Sequence, residues 1–148
     1  MMGRLSTLRR DERGASIIEM GIAMPILCTM LIGMVDLSGA YSAKLQAEQG
    51  AQRSVEYVQR NGFKTGQEDT LKTEATTGAG TGSSASVDTW STCNGTKAAF
   101  DDSCTSPTVT RYVRVSVTKT YTPYIKIPAA FGGGANYTVH GSASLRIQ

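Results

Sequence analysis

The chain is poor in the residues that chemistry most often needs. Its 148 residues include one histidine, His140, which leaves little room for a His-based triad or a His-rich metal site. There are three cysteines, Cys28, Cys93 and Cys104, and no C-x-x-C pair, which argues against a zinc ribbon. No G-x-x-x-x-G-K-[ST], H-E-x-x-H or G-x-S-x-G pattern is present, so the phosphate-cradling, zinc-protease and serine-hydrolase motifs are all missing. Charge is scarce and balanced: 18% of residues are charged, and 15 basic against 12 acidic side chains give a formal +3. Such a chain is a poor nucleic-acid binder, and at 40% hydrophobic it is too apolar to be wholly disordered. Arg111, Arg114 and Lys119 alternate with β-branched residues and read as a solvated strand face, and Asp101-Asp102 as a solvated acidic pair rather than a calcium site. No cofactor, metal or catalytic group is expected.

What the chain does have is apolar sequence gathered at one end. Residues 1–14 carry Arg4, Arg9, Arg10 and Arg13 against Asp11 and Glu12, a basic head. Ala15 to Val35 then runs ASIIEMGIAMPILCTMLIGMV with Glu19 as its one charge. As a helix this stretch covers about 30 Å, the hydrocarbon thickness of a bilayer. A basic head before a spanning segment places the N-terminus in the cytoplasm and carries the rest outward. Two other readings compete: a buried helix of a soluble protein, and a signal peptide cut after the small residues Ser38-Gly39-Ala40. The run exceeds the roughly 7–15 residues of a signal core and contains an acid.

Glu19 needs a reason, since a carboxylate at mid-membrane costs roughly 2.5–3.5 kcal/mol on insertion scales. Cleavage between Gly14 and Ala15 would create an ammonium group at the start of the apolar helix. Glu19 of one helix could then meet the Ala15 amine of a neighbour, an arrangement that sets axial register more than it adds stability. Alternatively Glu19 lies at the headgroups. Pro25 removes one helical hydrogen bond and crowds the Gly21 carbonyl, so a kink or melted turn is expected between those residues.

These residues resemble a known family. Arg13-Gly14-Ala15-Ser16-Ile17-Ile18-Glu19 is similar to a type IV prepilin processing site, and Arg13 to Tyr41, RGASIIEMGIAMPILCTMLIGMVDLSGAY, resembles the TadE-like proteins of tight-adherence pilus systems. The shared features are Glu19, Pro25, Gly33-Met34-Val35-Asp36-Leu37 and Ala40-Tyr41, with Met20 standing where an aromatic residue is usual. The resemblance implies a minor pilin or pseudopilin of the bacterial inner membrane, a peptidase substrate rather than an enzyme. It implies processing at Gly14 and Ala15, and subunit contacts through Glu19 and Pro25. Its implied partners are the inner membrane, other pilin subunits, prepilin peptidase and a pilus assembly platform. Two rivals remain: a permanently anchored envelope binding protein, and a small secreted protein released after Ala40.

Beyond the apolar run, Asp36 to Arg60 is helical in composition, with Leu37, Tyr41, Ala51, Val55 and Val58 near one face and Asn61-Gly62 as a stop. One long helix from about Ile17 to Arg60 is the simplest picture. Glu68 to Thr76 reads as a short helix, Gly78 to Ser86 as a flexible connector, and Ser86 to Ser91 as a short strand. Thr108 to Tyr121 alternates with period two, imperfectly enough to suggest an edge or bulged strand, and Tyr137 to Gln148 reads as a final strand. In an outward-facing domain Cys93 and Cys104 could close their loop as a disulfide, worth roughly 3 kcal/mol in the chain-entropy account. The expected fold is α+β: a leader (1–14), a transmembrane helix (15–35), its continuation outside (36–62), and a periplasmic domain with an antiparallel sheet (63–148) and a flexible loop near 78–107.

Overall fold

A computed structural model describes residues 13–102, 109–124, 126 and 136–147. The residues before Arg13, Cys104, Pro128 and the Gly132-Gly133-Gly134 run lie outside this set. Helix α1 spans Arg13–Asn61 without interruption and α2 spans Glu68–Ala79. Among the described residues four strands follow: β1 (Ser83–Cys93), β2 (Thr96–Ala98), β3 (Val109–Tyr121) and β4 (Tyr137–Arg146). They form one antiparallel sheet in the order β2-β1-β3-β4. The lower-numbered half of α1 projects away, and its second half packs with α2 on one face of the sheet, an α+β, pilin-like arrangement.

The helix ends where the sequence stops it. Gly62 takes φ 72° and its N–H bonds to the Val58 carbonyl at 2.8 Å, a left-handed terminus that a residue with a Cβ resists. Helix α2 begins with Glu68 and Asp69, acids that suit the positive end of the helix dipole. Its Leu71, Ala75 and Ala79 recur every four residues and are all buried.

Small residues draw the layers together. Ala43, Ala47, Gly50, Ala51, Ser54, Val55 and Val58 form the buried stripe of α1. A Cβ placed on Gly50 would overlap the Ala75 carbonyl oxygen and Ala79, and one on Gly141 would overlap the Ala47–Glu48 backbone. These two glycines let α2 and β4 lie against the α1 backbone itself. Ser54, fully buried, donates its hydroxyl to the Leu71 carbonyl at 2.8 Å. On the sheet side Val113, Val115 and Val117 are completely buried and complete the core.

Several expectations change. Leu37 and Tyr41 do not face the core; they are 73% and 62% exposed, because the stripe that packs is the run of small residues beginning at Ala43. No turn of α1 melts at Pro25, where the helix continues through. The connector read over 78–86 shrinks to residues 80–82, since α2 runs to Ala79 and β1 starts at Ser83. Strand β3 is central, paired with β1 and β4 along its length, rather than an edge. Its Arg111 and Lys119 lie at the two ends of the buried face: Arg111 donates to the Phe100 carbonyl, and Lys119 to Gln46 Oε1 and the Ala79 carbonyl. Only Arg114 of that trio lies on the outer face, its guanidinium 5.2 Å from the centre of the Trp90 ring.

Candidate functional site: an exposed apolar half-helix and its junction with the head

The site begins with what nothing covers. Every residue from Ser16 to Val35 is exposed, although this stretch includes five isoleucines, four methionines and two leucines. Leaving that surface in water opposes the hydrophobic effect along its whole length, at about 25 cal/mol for each Å² of apolar area. Among the described residues one helix is long and apolar enough to cross a membrane, and this is its apolar part. Its internal polar groups are few. Thr29 returns its hydroxyl to the Ile26 carbonyl at 2.8 Å, whereas Pro25 has no N–H to offer the Gly21 carbonyl.

Glu19 stands on this half-helix, exposed and with no hydrogen bond or ion pair among the described residues. Gly14 and Ala15 lie in the first turn of α1. Glu19 and the next acid, Asp36, bracket an uncharged run from Met20 to Val35, and they are separated by about 26 Å along the helix axis.

Asp36 joins the half-helix to the head. One of its carboxylate oxygens accepts the Tyr121 hydroxyl at 3.1 Å and the Tyr124 backbone N–H at 2.7 Å. Tyr121 is the last residue of β3, so this acid ties the end of the central strand to the helix where the apolar run stops. One turn later Gly39 leaves room for the phenol; a Cβ there would stand 2.5 Å from the Tyr121 oxygen. Burial, then the hydrogen bond and negative charge of Asp36, then nearby Tyr124, raise the Tyr121 pKa above the ordinary tyrosine value. The phenol is therefore held neutral, as a donor. Around it a shallow apolar cleft is lined by Gly33, Leu37, Ala40, Pro123 and Tyr137, and Tyr124 borders a second one with Leu31, Ile32 and Val35.

Sequence reasoning placed Asp36 only within a motif and missed what it holds. The signal was an acid immediately after a long apolar run, paired with a Tyr-Thr-Pro-Tyr segment 85 residues later whose proximity only the fold reveals.

The remaining candidate residues lie elsewhere. Cys93 ends β1 and belongs to a disulfide; Cys104, its expected partner, lies outside the described residues. Asn94 and Gly95, both at positive φ, form the two-residue turn of a β1–β2 hairpin, in a segment first read as plain loop. Asp101 accepts the Thr65 hydroxyl at 2.9 Å, and no cluster of metal-ligating side chains occurs among the described residues. His140 is exposed, its Nδ1 3.1 Å from the Thr118 hydroxyl.

No curated protein and no solved structure matches the chain. A family model described as TadE-like protein matches residues 14–55, a span that takes in the exposed half-helix, Glu19, Pro25, the Asp36 junction and most of the small-residue stripe. Over that segment the chain is similar to the TadE-like protein family.

Proposed function

We propose that this protein is a minor pilin or pseudopilin that takes part in assembly of a tight-adherence, type IVb pilus. The TadE-like match over residues 14–55 supports an association with such a pilus. The observation that carries the finer reading is the uncovered Ser16–Val35 half-helix, fused without a break to a folded head. Such a helix needs an apolar surrounding, and a subunit that moves from bilayer to filament exchanges lipid for neighbouring helices. In this reading residues 1–14 are a cytoplasmic leader, 15–35 the membrane span, 36–62 its outward continuation, and 63–148 a periplasmic domain.

Prepilin peptidase cuts between Gly14 and Ala15. The new Ala15 amine of one subunit then meets Glu19 of the next, an ion pair in a low-dielectric setting that fixes register. Pro25 contributes to the same subunit surface. The partners are the inner membrane, other pilin subunits, the peptidase and the assembly platform, and no enzymatic activity or cofactor is involved. A Cys93–Cys104 disulfide would staple the head in the oxidising periplasm.

The direct test is the intact mass and N-terminal sequence of the membrane-extracted protein, from cells with and without the peptidase. A start at Ala15 that requires the peptidase is the expected result. A start at Tyr41 would make the protein secreted, and an uncut N-terminus would leave it a permanent anchor. In processed protein, Glu19→Ala is expected to keep membrane insertion and lose subunit association, read by crosslinking and membrane fractionation.

A further inference from the structure

Among its described residues the folded head exposes few large apolar side chains, and they are not scattered. Outside α1, the large hydrophobic residues that stand exposed among the described residues are Tyr124, at 80%, and Tyr137, at 40%. Both lie at the end of the sheet where α1 leaves the apolar run, and Tyr137 is the strand partner of Tyr121. On α1 itself, Leu37 and Tyr41 point outward just beyond Asp36. Four of the six tyrosines thus gather at one level, within about 9 Å along the helix from the last residue of the uncharged run. Among the described residues the other end of the sheet has nothing comparable. There Trp90 and Tyr112 stack on one another at 5.4 Å with Lys97 over the indole, so those rings are already covered.

A collar of tyrosines at the end of a spanning helix suits one environment in particular. A phenol has an apolar body and a polar tip, and such rings concentrate where hydrocarbon gives way to headgroups. We infer that Tyr41, Tyr121, Tyr124 and Tyr137, with Leu37, form a lipid-binding collar that seats the membrane-proximal end of the head in the headgroup layer of the bilayer. This rests on the membrane-anchored reading above and deepens it by giving the head itself a lipid-facing surface. The continuity of α1 argues for lipid as the occupant, because no linker separates the collar from the apolar run and the two must reach the bilayer together. Tyr124 fits this position closely: it lies beside Leu31, Ile32 and Val35 and contributes its backbone N–H, not its ring, to Asp36. The Asp36 bonds also remove polar groups from the collar, since the Tyr121 hydroxyl and the Tyr124 N–H enter the interface already partnered. Seating the collar fixes depth, and so places Glu19 about 26 Å below it, towards the far boundary of the hydrocarbon.

The test uses the full chain reconstituted into vesicles containing lipids brominated at defined acyl positions, which quench tryptophan on contact. The native Trp90 is an internal reference, paired with Tyr112 nine residues along β3 from Tyr121, or roughly 30 Å away at about 3.3 Å per residue. Tyr124→Trp adds a reporter at the collar, and Leu27→Trp adds one in the middle of the apolar run. Tyr124 is too exposed for this exchange to disturb folding. The expected result is that Trp90 is unaffected, position 27 is quenched by deeply brominated lipid, and position 124 loses most of its added emission to bromine nearest the headgroups. Quenching at 27 with none at 124 would overturn the collar and leave the anchored reading standing. No quenching at 27 would remove both. Quenching at 124 that fades as the protein-to-lipid ratio rises would show a neighbouring copy as the occupant, and would also overturn the proposal.

Discussion

Asp36 has a single oxygen that holds two donors from the head, so its removal should be felt beyond its own side chain. Asp36→Ala leaves the Tyr121 hydroxyl and the Tyr124 N–H without that acceptor, and is expected to cost about 1–3 kcal/mol in urea unfolding of the head. Asp36→Asn keeps an acceptor and should cost less. The same contact makes a pH prediction. Because the Tyr121 pKa is raised, the folded state holds the phenolic proton more tightly than the unfolded chain does. The contribution is intact below the unfolded value of about 10 and is lost as pH climbs through the higher folded value. Absorbance titration of the phenolates should show one tyrosine ionising late in the native protein, and Asp36→Ala should move it back towards the others. Gly39→Ala is expected to produce the same spectroscopic change by displacing the phenol, while the helix backbone around it stays in place.

At the level of elements, close approach depends on two glycines and a row of alanines. Gly141→Ala and Gly50→Ala each put a methyl against backbone that cannot yield without moving a whole strand or helix. Each is expected to destabilise the head by about 1–3 kcal/mol, measured as a lower denaturation midpoint, with Gly78→Ala milder because it meets Gly50 and the flexible Arg53 side chain at longer range. This is also where the sequence was hardest to read. The long helix, its stop at Gly62, the short second helix and the valine-rich strand were all legible from local pattern and turn chemistry. The packing face of α1 was legible only in part: Ala51, Val55 and Val58 are buried as expected, but a search for large apolar residues also selected Leu37 and Tyr41, whereas the rest of the buried side is Ala, Gly and Ser. Small residues carry little hydrophobic signal, and their value lies in the backbone distance they allow. The strand read over Ser86 to Ser91 came out too short, with the start of β1 from Ser83 taken as connector, for a related reason: its partner β3 begins 26 residues after β1 does, and β-pairing of that range leaves no trace in composition. The candidate site divided in the same way, with Glu19 visible as a charge in an apolar run and the Asp36–Tyr121 tie invisible until the chain had folded back on itself.

The whole molecule consists of two parts with opposite needs, joined by one helix. From Ala43 onwards α1 completes the core of the head, whereas from Ser16 to Val35 it contributes nothing to that core. A chain that starts at Asp36 should therefore fold as a soluble monomer with helix and sheet retained, and the full chain should aggregate when detergent is removed. Circular dichroism and gel filtration on the two forms check both outcomes, and an unfolded short form would show that the apolar half is needed for folding. The joint between the parts has a mechanical consequence. No hinge separates the membrane end of α1 from its packed end, and Asp36 clamps the sheet to the helix at the boundary, so the molecule behaves as a crank. Turning the anchor about its own axis swings the head by the same angle. If neighbouring anchors shift their contact by one residue, each head turns by about 100°, so the choice of helical face inside the apolar layer dictates which side of each sheet looks outward.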